Sequence, residues 1–211
     1  MVGPGFGWLA GAVTMLLGGA GLAAGGGWAA AVGTAAAAAG LGLARRPHPA
    51  AAALGLAATF FAIASFGDGG VLATLSGAAL MGGITAEMLL GHWFLIDPTL
   101  PRWALKRLAM VGAAGVVADG LVLGLDPGFD WAGQVTAWAF VVLGVTSLML
   151  MVAVRLALNE PSYPGVMAAT GLSYLAILTA IGGAVAGRAL VDKGTSLLAG
   201  VGRLLGTLAV L

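Results

Sequence analysis

Residues 131–158 read WAGQVTAWAFVVLGVTSLMLMVAVRLAL. This stretch runs for almost thirty residues with a single ionisable side chain, Arg155, close to its end. A helix needs about 20 mainly apolar residues to cross the hydrocarbon core of a bilayer. A helix that is apolar all round is buried, in the core of a large protein or in a membrane, and a chain this poor in charge favours the membrane. The stretch therefore reads as a transmembrane helix.

The same reading extends along the chain in both directions. Apolar runs cover 6–24, 26–44, 49–66, 71–96, 103–125, 131–158 and 163–190, with an eighth, shorter run over 195–211. That last run is about seventeen residues long and contains Arg203, so it is either a short span or a helix lying on the membrane surface. Turn chemistry separates the runs. Arg45-Arg46-Pro47-His48-Pro49, Gly67-Asp68-Gly69-Gly70, Asp97-Pro98-Thr99-Leu100-Pro101, Asp126-Pro127-Gly128 and Asn159-Glu160-Pro161 all place Pro or Gly where a helix must end. The faintest boundary, near Ala24 to Gly27, is marked by glycine alone. The expected fold is all-α: a polytopic integral membrane helix bundle of seven or eight transmembrane helices, with residues 1–211 forming one transmembrane domain.

Composition agrees with this expectation over the whole length. Of 211 residues, 60% are hydrophobic and 8% charged, against about a quarter charged in soluble domains. The mean hydropathy is +1.05. A net charge of +1, with no basic run beyond Arg45-Arg46, gives nucleic acid nothing to bind. The absence of cysteine excludes disulfides, thiolate metal sites and thiol redox chemistry within the chain. Nothing basic precedes the first apolar run, so it reads as a permanent span rather than a secretory signal.

Charge sets the expected orientation. Arg45, Arg46, Arg102, Lys106, Arg107 and Arg155 fall at the breaks after the second, fourth and sixth runs. Asp68, Asp126 and Asp130 fall after the third and fifth, where there is no Lys or Arg. The positive-inside rule puts the basic loops in the cytoplasm and the N-terminus with them. The region around Arg188, Asp192 and Lys193 is mixed and fits less well. Trp8, Trp28, Trp93, Trp103 and Trp131 lie near run ends, where an apolar ring with one N–H suits the headgroup zone. Abundant Ala and Gly, with Arg favoured over Lys, suggest a bacterial inner-membrane protein from a GC-rich genome.

Seven Gly pairs are spaced as GxxxG, including Gly7/Gly11, Gly120/Gly124 and Gly183/Gly187. Random placement of the 37 glycines would give about six such pairs, so the count is no evidence of dimerisation. It fits a bundle whose helices touch through small side chains.

Ionisable residues within spans are costly and are functional candidates by default. Glu87 sits near mid-membrane, where a carboxyl needs a proton or a partner. It is a candidate proton or ion relay, and the plainer reading is a structural hydrogen bond or an ion pair with Arg203. His92 follows by five residues, and Met88 shares its face. Both residue types ligate haem or copper, but a His at the membrane edge more often donates to a carbonyl or a lipid phosphate. Asp119 and Arg188 lie at similar depths and are candidates for a structural ion pair, as is Arg203 should its segment span. Asp97, Pro98, Pro101, Arg102 and Trp103 form a Pro-bounded turn with a basic helix start, a candidate docking loop.

No Walker loop, HExxH or GxSxG is present, so the sequence offers no enzyme motif. Three functions remain. The first asks least of the residues. It is a non-catalytic subunit of a larger membrane complex, respiratory or similar, that contributes packing surfaces and a lipid, quinone or pigment pocket. The second is a small proton-coupled transporter or channel using Glu87, and the third a haem- or metal-binding anchor using His92. The expected partners are the lipid bilayer and other membrane subunits or further copies of the chain.

Overall fold

The computed structural model describes residues 4–23, 27–132 and 134–208, with the backbone alone at residues 4, 65–69, 134 and 192–208. Every regular element among them is an α-helix. Helix α1 is Pro4–Ala23 and α2 is Trp28–Gly42. The long element Pro47–Ile96 is broken at Gly70, whose φ of 72° and ψ of 163° no helix contains. Glycine alone adopts that conformation without steric cost. The break divides the element into α3, which starts at Pro47, and α4, Gly70–Ile96. Helices α5 (Arg102–Gly124), α6 (Gln134–Ala157) and α7 (Tyr163–Leu208) follow.

Six of these helices are long and apolar enough to cross a bilayer: Gly5–Ala23, Pro47–Ala64, Gly70–Ile96, Arg102–Gly124, Val135–Ala157 and Tyr163–Val191. Large apolar side chains such as Leu121, Val135, Met149, Leu156 and Leu178 point outward. That pattern would be a liability in water and is the natural one in lipid. The chain is a multi-pass helical membrane bundle.

Two of the apolar runs take other helix bounds in the structure. The run over 26–44 forms a helix of only 15 residues, α2, which rises about 22 Å and so is shorter than the hydrocarbon core. The run over 195–211 does not form a separate element. No Pro or left-handed residue interrupts the described chain between Leu190 and Leu208, and α7 continues without a turn to Leu208.

The chain divides into two compact units, one comprising residues 1–75 and 96–100 and the other residues 76–95 and 101–211. In the first unit α1 and α2 run antiparallel. A Cβ at Gly11 would stand 2.9 Å from Leu41 Cα, so the missing side chain is what lets the backbones meet. The Phe61 ring of α3 fills a slot beside Gly18 and Gly33 and packs on Ala36, Ala37 and Ala57. Arg45 lies over the Trp8 ring at 5.8 Å, which places the start of α1 and the end of α2 at the same end of the unit.

The second unit is built from most of α4 with α5, α6 and α7. Helices α4 and α5 cross in close contact: a Cβ at Gly83 would lie 2.5 Å from the Gly112 nitrogen, and one at Gly115 would collide with the Leu80 backbone. Leu143 and Phe140 of α6 pack against Gly182, Gly183 and Gly187 of α7. Polar ties close both ends. At one, Arg102 donates to the Glu160 and Ser162 carbonyls at 2.6 and 3.2 Å, and the Tyr163 hydroxyl donates to Leu95 O at 3.1 Å. At the other, the Gly128 N–H donates to Asp126 Oδ1 at 2.7 Å, the Asp130 N–H donates to Leu190 O at 3.2 Å, and the Phe129 ring packs on Trp131 and Phe140.

Candidate functional site

Helix α4 presents Ser76, Leu80, Ile84, Glu87 and Gly91 at helical spacing, all buried. Ser76 and Glu87 are eleven residues apart. That is three turns, or about 16 Å, on one face. The face carries two separate polar contacts within the second unit.

The first surrounds Asp119 of α5. Ser76 donates to its Oδ1 at 2.9 Å. Arg188 of α7 donates through Nη2 to Oδ1 at 3.1 Å and through Nη1 to Oδ2 at 3.2 Å. Room for the guanidinium comes from Gly77, where a Cβ would collide with Nη2. Asp119 is almost fully buried, while the Arg188 side chain is 43% exposed. The two-pronged geometry fixes the relative register of α5 and α7, and the third donor ties in α4.

The second surrounds Glu87, which is fully buried. Its Oε2 is hydrogen-bonded to the Ser173 hydroxyl of α7. Ser173 Oγ also lies 2.9 Å from the Ala169 carbonyl oxygen. A hydroxyl has one proton for these two contacts; both are complete when the carboxyl itself carries one. Glu87 Oε1 has no hydrogen-bond partner among the described residues. Beside it α4 and α7 meet closely at Gly91, where a Cβ would stand only 2.8 Å from Thr170 Oγ1 and 3.8 Å from Glu87 Oε1. Thr170 is itself buried and donates to Val166 O. No Lys or Arg bonds to Glu87 among the described residues; Arg203, the cation first considered for it, has its side chain outside them.

The remaining candidates are more dispersed. His92 is exposed, and its Nδ1 lies 3.4 Å from the Tyr174 hydroxyl; Met88 is half-buried one turn away. Among the described residues no three of His, Asp and Glu gather as a metal site would require. Within the turn after α4, Asp97 accepts from the Thr99 hydroxyl at 2.5 Å and from its N–H at 3.2 Å. These bonds hold the Asp97 carboxyl below the usual carboxylate range, the hydroxyl contributing most. Pro98 and Pro101 are exposed. The Arg102 side chain turns inward, over the Phe94 ring at 5.6 Å, while Trp103 stays exposed beneath Arg107 at 5.0 Å.

Sequence reasoning passed over Ser76, Thr170 and Ser173. A hydroxyl in a membrane helix usually bonds its own i−4 carbonyl, as Thr14, Thr34, Thr146 and Thr170 do here, so nothing marks Ser76 and Ser173, which reach across. No protein-family model, curated protein or solved structure matches the chain.

Proposed function

We propose that the bundle α4–α7 carries protons or small cations across a bacterial inner membrane, with Glu87 as the residue that binds and releases them. The supporting observation is the Glu87 carboxyl itself. It is fully buried in a membrane span, held on one oxygen by Ser173 and without a partner on the other among the described residues. An unneutralised carboxylate in that setting costs several kcal/mol. The group must therefore bind a proton or a cation to be stable, and it must be able to exchange that cation to be useful. Ser173 and Thr170 provide hydroxyl oxygens along the α4–α7 contact, where Gly91 lets the two helices approach closely. The test is uptake into everted membrane vesicles from cells expressing the chain. Loss of proton- or cation-driven flux in Glu87→Gln, with normal membrane insertion, supports the reading; unchanged flux rejects it.

A second reading is a non-catalytic subunit of a larger complex. It is favoured by exposed glycines on three helices, Gly55, Gly82 and Gly171, where an added Cβ would meet nothing within 4 Å. Such bare positions let a helix of another subunit approach closely. Purification from the native membrane in mild detergent, read by mass spectrometry and visible absorption, distinguishes the two. Stoichiometric partner subunits or a bound pigment support assembly, whereas a lone, colourless chain supports transport.

A further inference from the structure

A cleft of about 250 Å³ lies between α5, α6 and α7. Its walls are apolar, with Val116, Val141, Leu148 and Ala180 among them, and two polar side chains enter, Asp119 and Ser147. Two glycines on opposite walls, Gly120 of α5 and Gly144 of α6, face open space, since a Cβ at either would meet nothing within 4 Å. The cleft is thus partly made of absent side chains. Its rim includes Val117, Leu121 and Val145, which are exposed on the outer face of membrane-spanning helices. Access is therefore from the hydrocarbon phase.

The two polar groups restrict what can enter. Asp119 accepts three hydrogen bonds, from Ser76 Oγ and from Arg188 Nη1 and Nη2. A carboxylate offers roughly four acceptor positions, so about one is left open. Ser147 Oγ has Leu143 O and Thr179 Oγ1 each at 2.8 Å, so its only proton is committed and lone pairs remain. Both groups can accept from a ligand and neither has a free proton to donate. A carbonyl, ether or ester oxygen placed there would be left without a donor, at the cost of an unsatisfied buried polar group.

We propose that this cleft is a binding site for a membrane-dissolved alcohol or phenol: an apolar ring or isoprenoid body with one hydroxyl that donates to Asp119 or to Ser147. The volume lies at or below the lower end of the ~300–1,000 Å³ typical of ligand pockets. It suits one ring or a few isoprene units, with any longer tail leaving through the rim into the bilayer. The site is separate from Glu87 and does not depend on the transport reading.

The probe is farnesol, with farnesyl methyl ether as its non-donating counterpart, added to the purified full chain and read by native mass spectrometry. The expected result is one farnesol per chain, with the ether bound about tenfold or more weakly, the effect of one unsatisfied buried acceptor. Gly144→Leu places a side chain in the open space of the cleft. It should keep the helical circular dichroism and thermal midpoint of the wild type and lose farnesol about tenfold or more. Equal binding of alcohol and ether overturns the proposal, as does no binding of either. Undiminished binding to a folded Gly144→Leu protein places any site elsewhere and also overturns it.

Discussion

Arg188 reaches from α7 to both carboxylate oxygens of Asp119 on α5, with two N–H bonds at 3.1 and 3.2 Å. The acid is buried and the base is 43% exposed. The pair is therefore unequal: removing the base strands a buried charge, while removing the acid leaves a cation that can still reach the surface.

From this inequality Arg188→Leu should destabilise the second unit more than Asp119→Asn does. Losing one partner of a fully buried pair costs about 3–5 kcal/mol. The exposure of Arg188 lowers that, and about 1–3 kcal/mol is expected for Arg188→Leu. The double variant Asp119→Leu/Arg188→Leu should recover most of the loss. Thermal unfolding in one detergent, compared across the three variants, checks the order.

The crossing of α4 and α5 makes a second prediction. Gly115→Ala puts a Cβ into the Leu80 backbone, which neither helix can relieve by a rotamer change. A loss of about 1–3 kcal/mol is expected, as for overpacking generally. Gly82→Ala on the same α4 helix meets nothing within 4 Å and should be within about 0.5 kcal/mol of the wild type. The same unfolding assay reads both.

The chain has no cysteine, so single-cysteine variants report sidedness cleanly. With the basic loops in the cytoplasm, Pro127→Cys should react with a membrane-impermeant maleimide in intact cells. Arg46→Cys and Pro98→Cys should react only after permeabilisation. The reverse pattern would invert the orientation drawn from the basic residues.

Asp97 gives a pH-dependent prediction outside the spans. Its carboxyl is held below its ordinary value of 3.8, chiefly by the Thr99 hydroxyl and then by the Thr99 N–H. A lowered folded value means that the charged form is favoured in the fold. The stabilisation is complete above the ordinary value and is lost as pH falls through the lowered one. Thr99→Val should bring the titration of Asp97, followed by carboxyl NMR, back toward 3.8, and should flatten the acid-side change in stability of the turn.

The breaks between helices were legible because they are local. Pro47, Pro98, Pro101, Pro127 and Pro161, with Gly70, impose dihedrals or remove donors wherever they stand, whatever packs around them. The end of α7 was harder to read for the same reason. Arg188, Asp192, Lys193 and Gly194 are polar enough to suggest a loop, yet none of them forces one, and the helix continues. The polar positions on α4 and α5 stood out as ionisable groups in apolar runs. Their surroundings did not, because Glu87 and Ser173 are 86 residues apart and only helix pairing brings them together. The cleft was equally invisible: Gly120 and Gly144 differ from the glycines buried in helix contacts only in what lies opposite them.

Whether Glu87 exchanges its proton or cation is answered by flux in a defined membrane. The purified chain is reconstituted in liposomes with an internal pH dye and an imposed proton gradient, with sodium and potassium varied outside. Wild-type protein should dissipate the gradient faster than empty liposomes do, Glu87→Asp should retain part of that rate, and Glu87→Gln should fall to the empty-liposome background. A Glu87→Gln protein that is folded and as active as the wild type, or a wild type no faster than empty liposomes under every ion condition, would contradict the account.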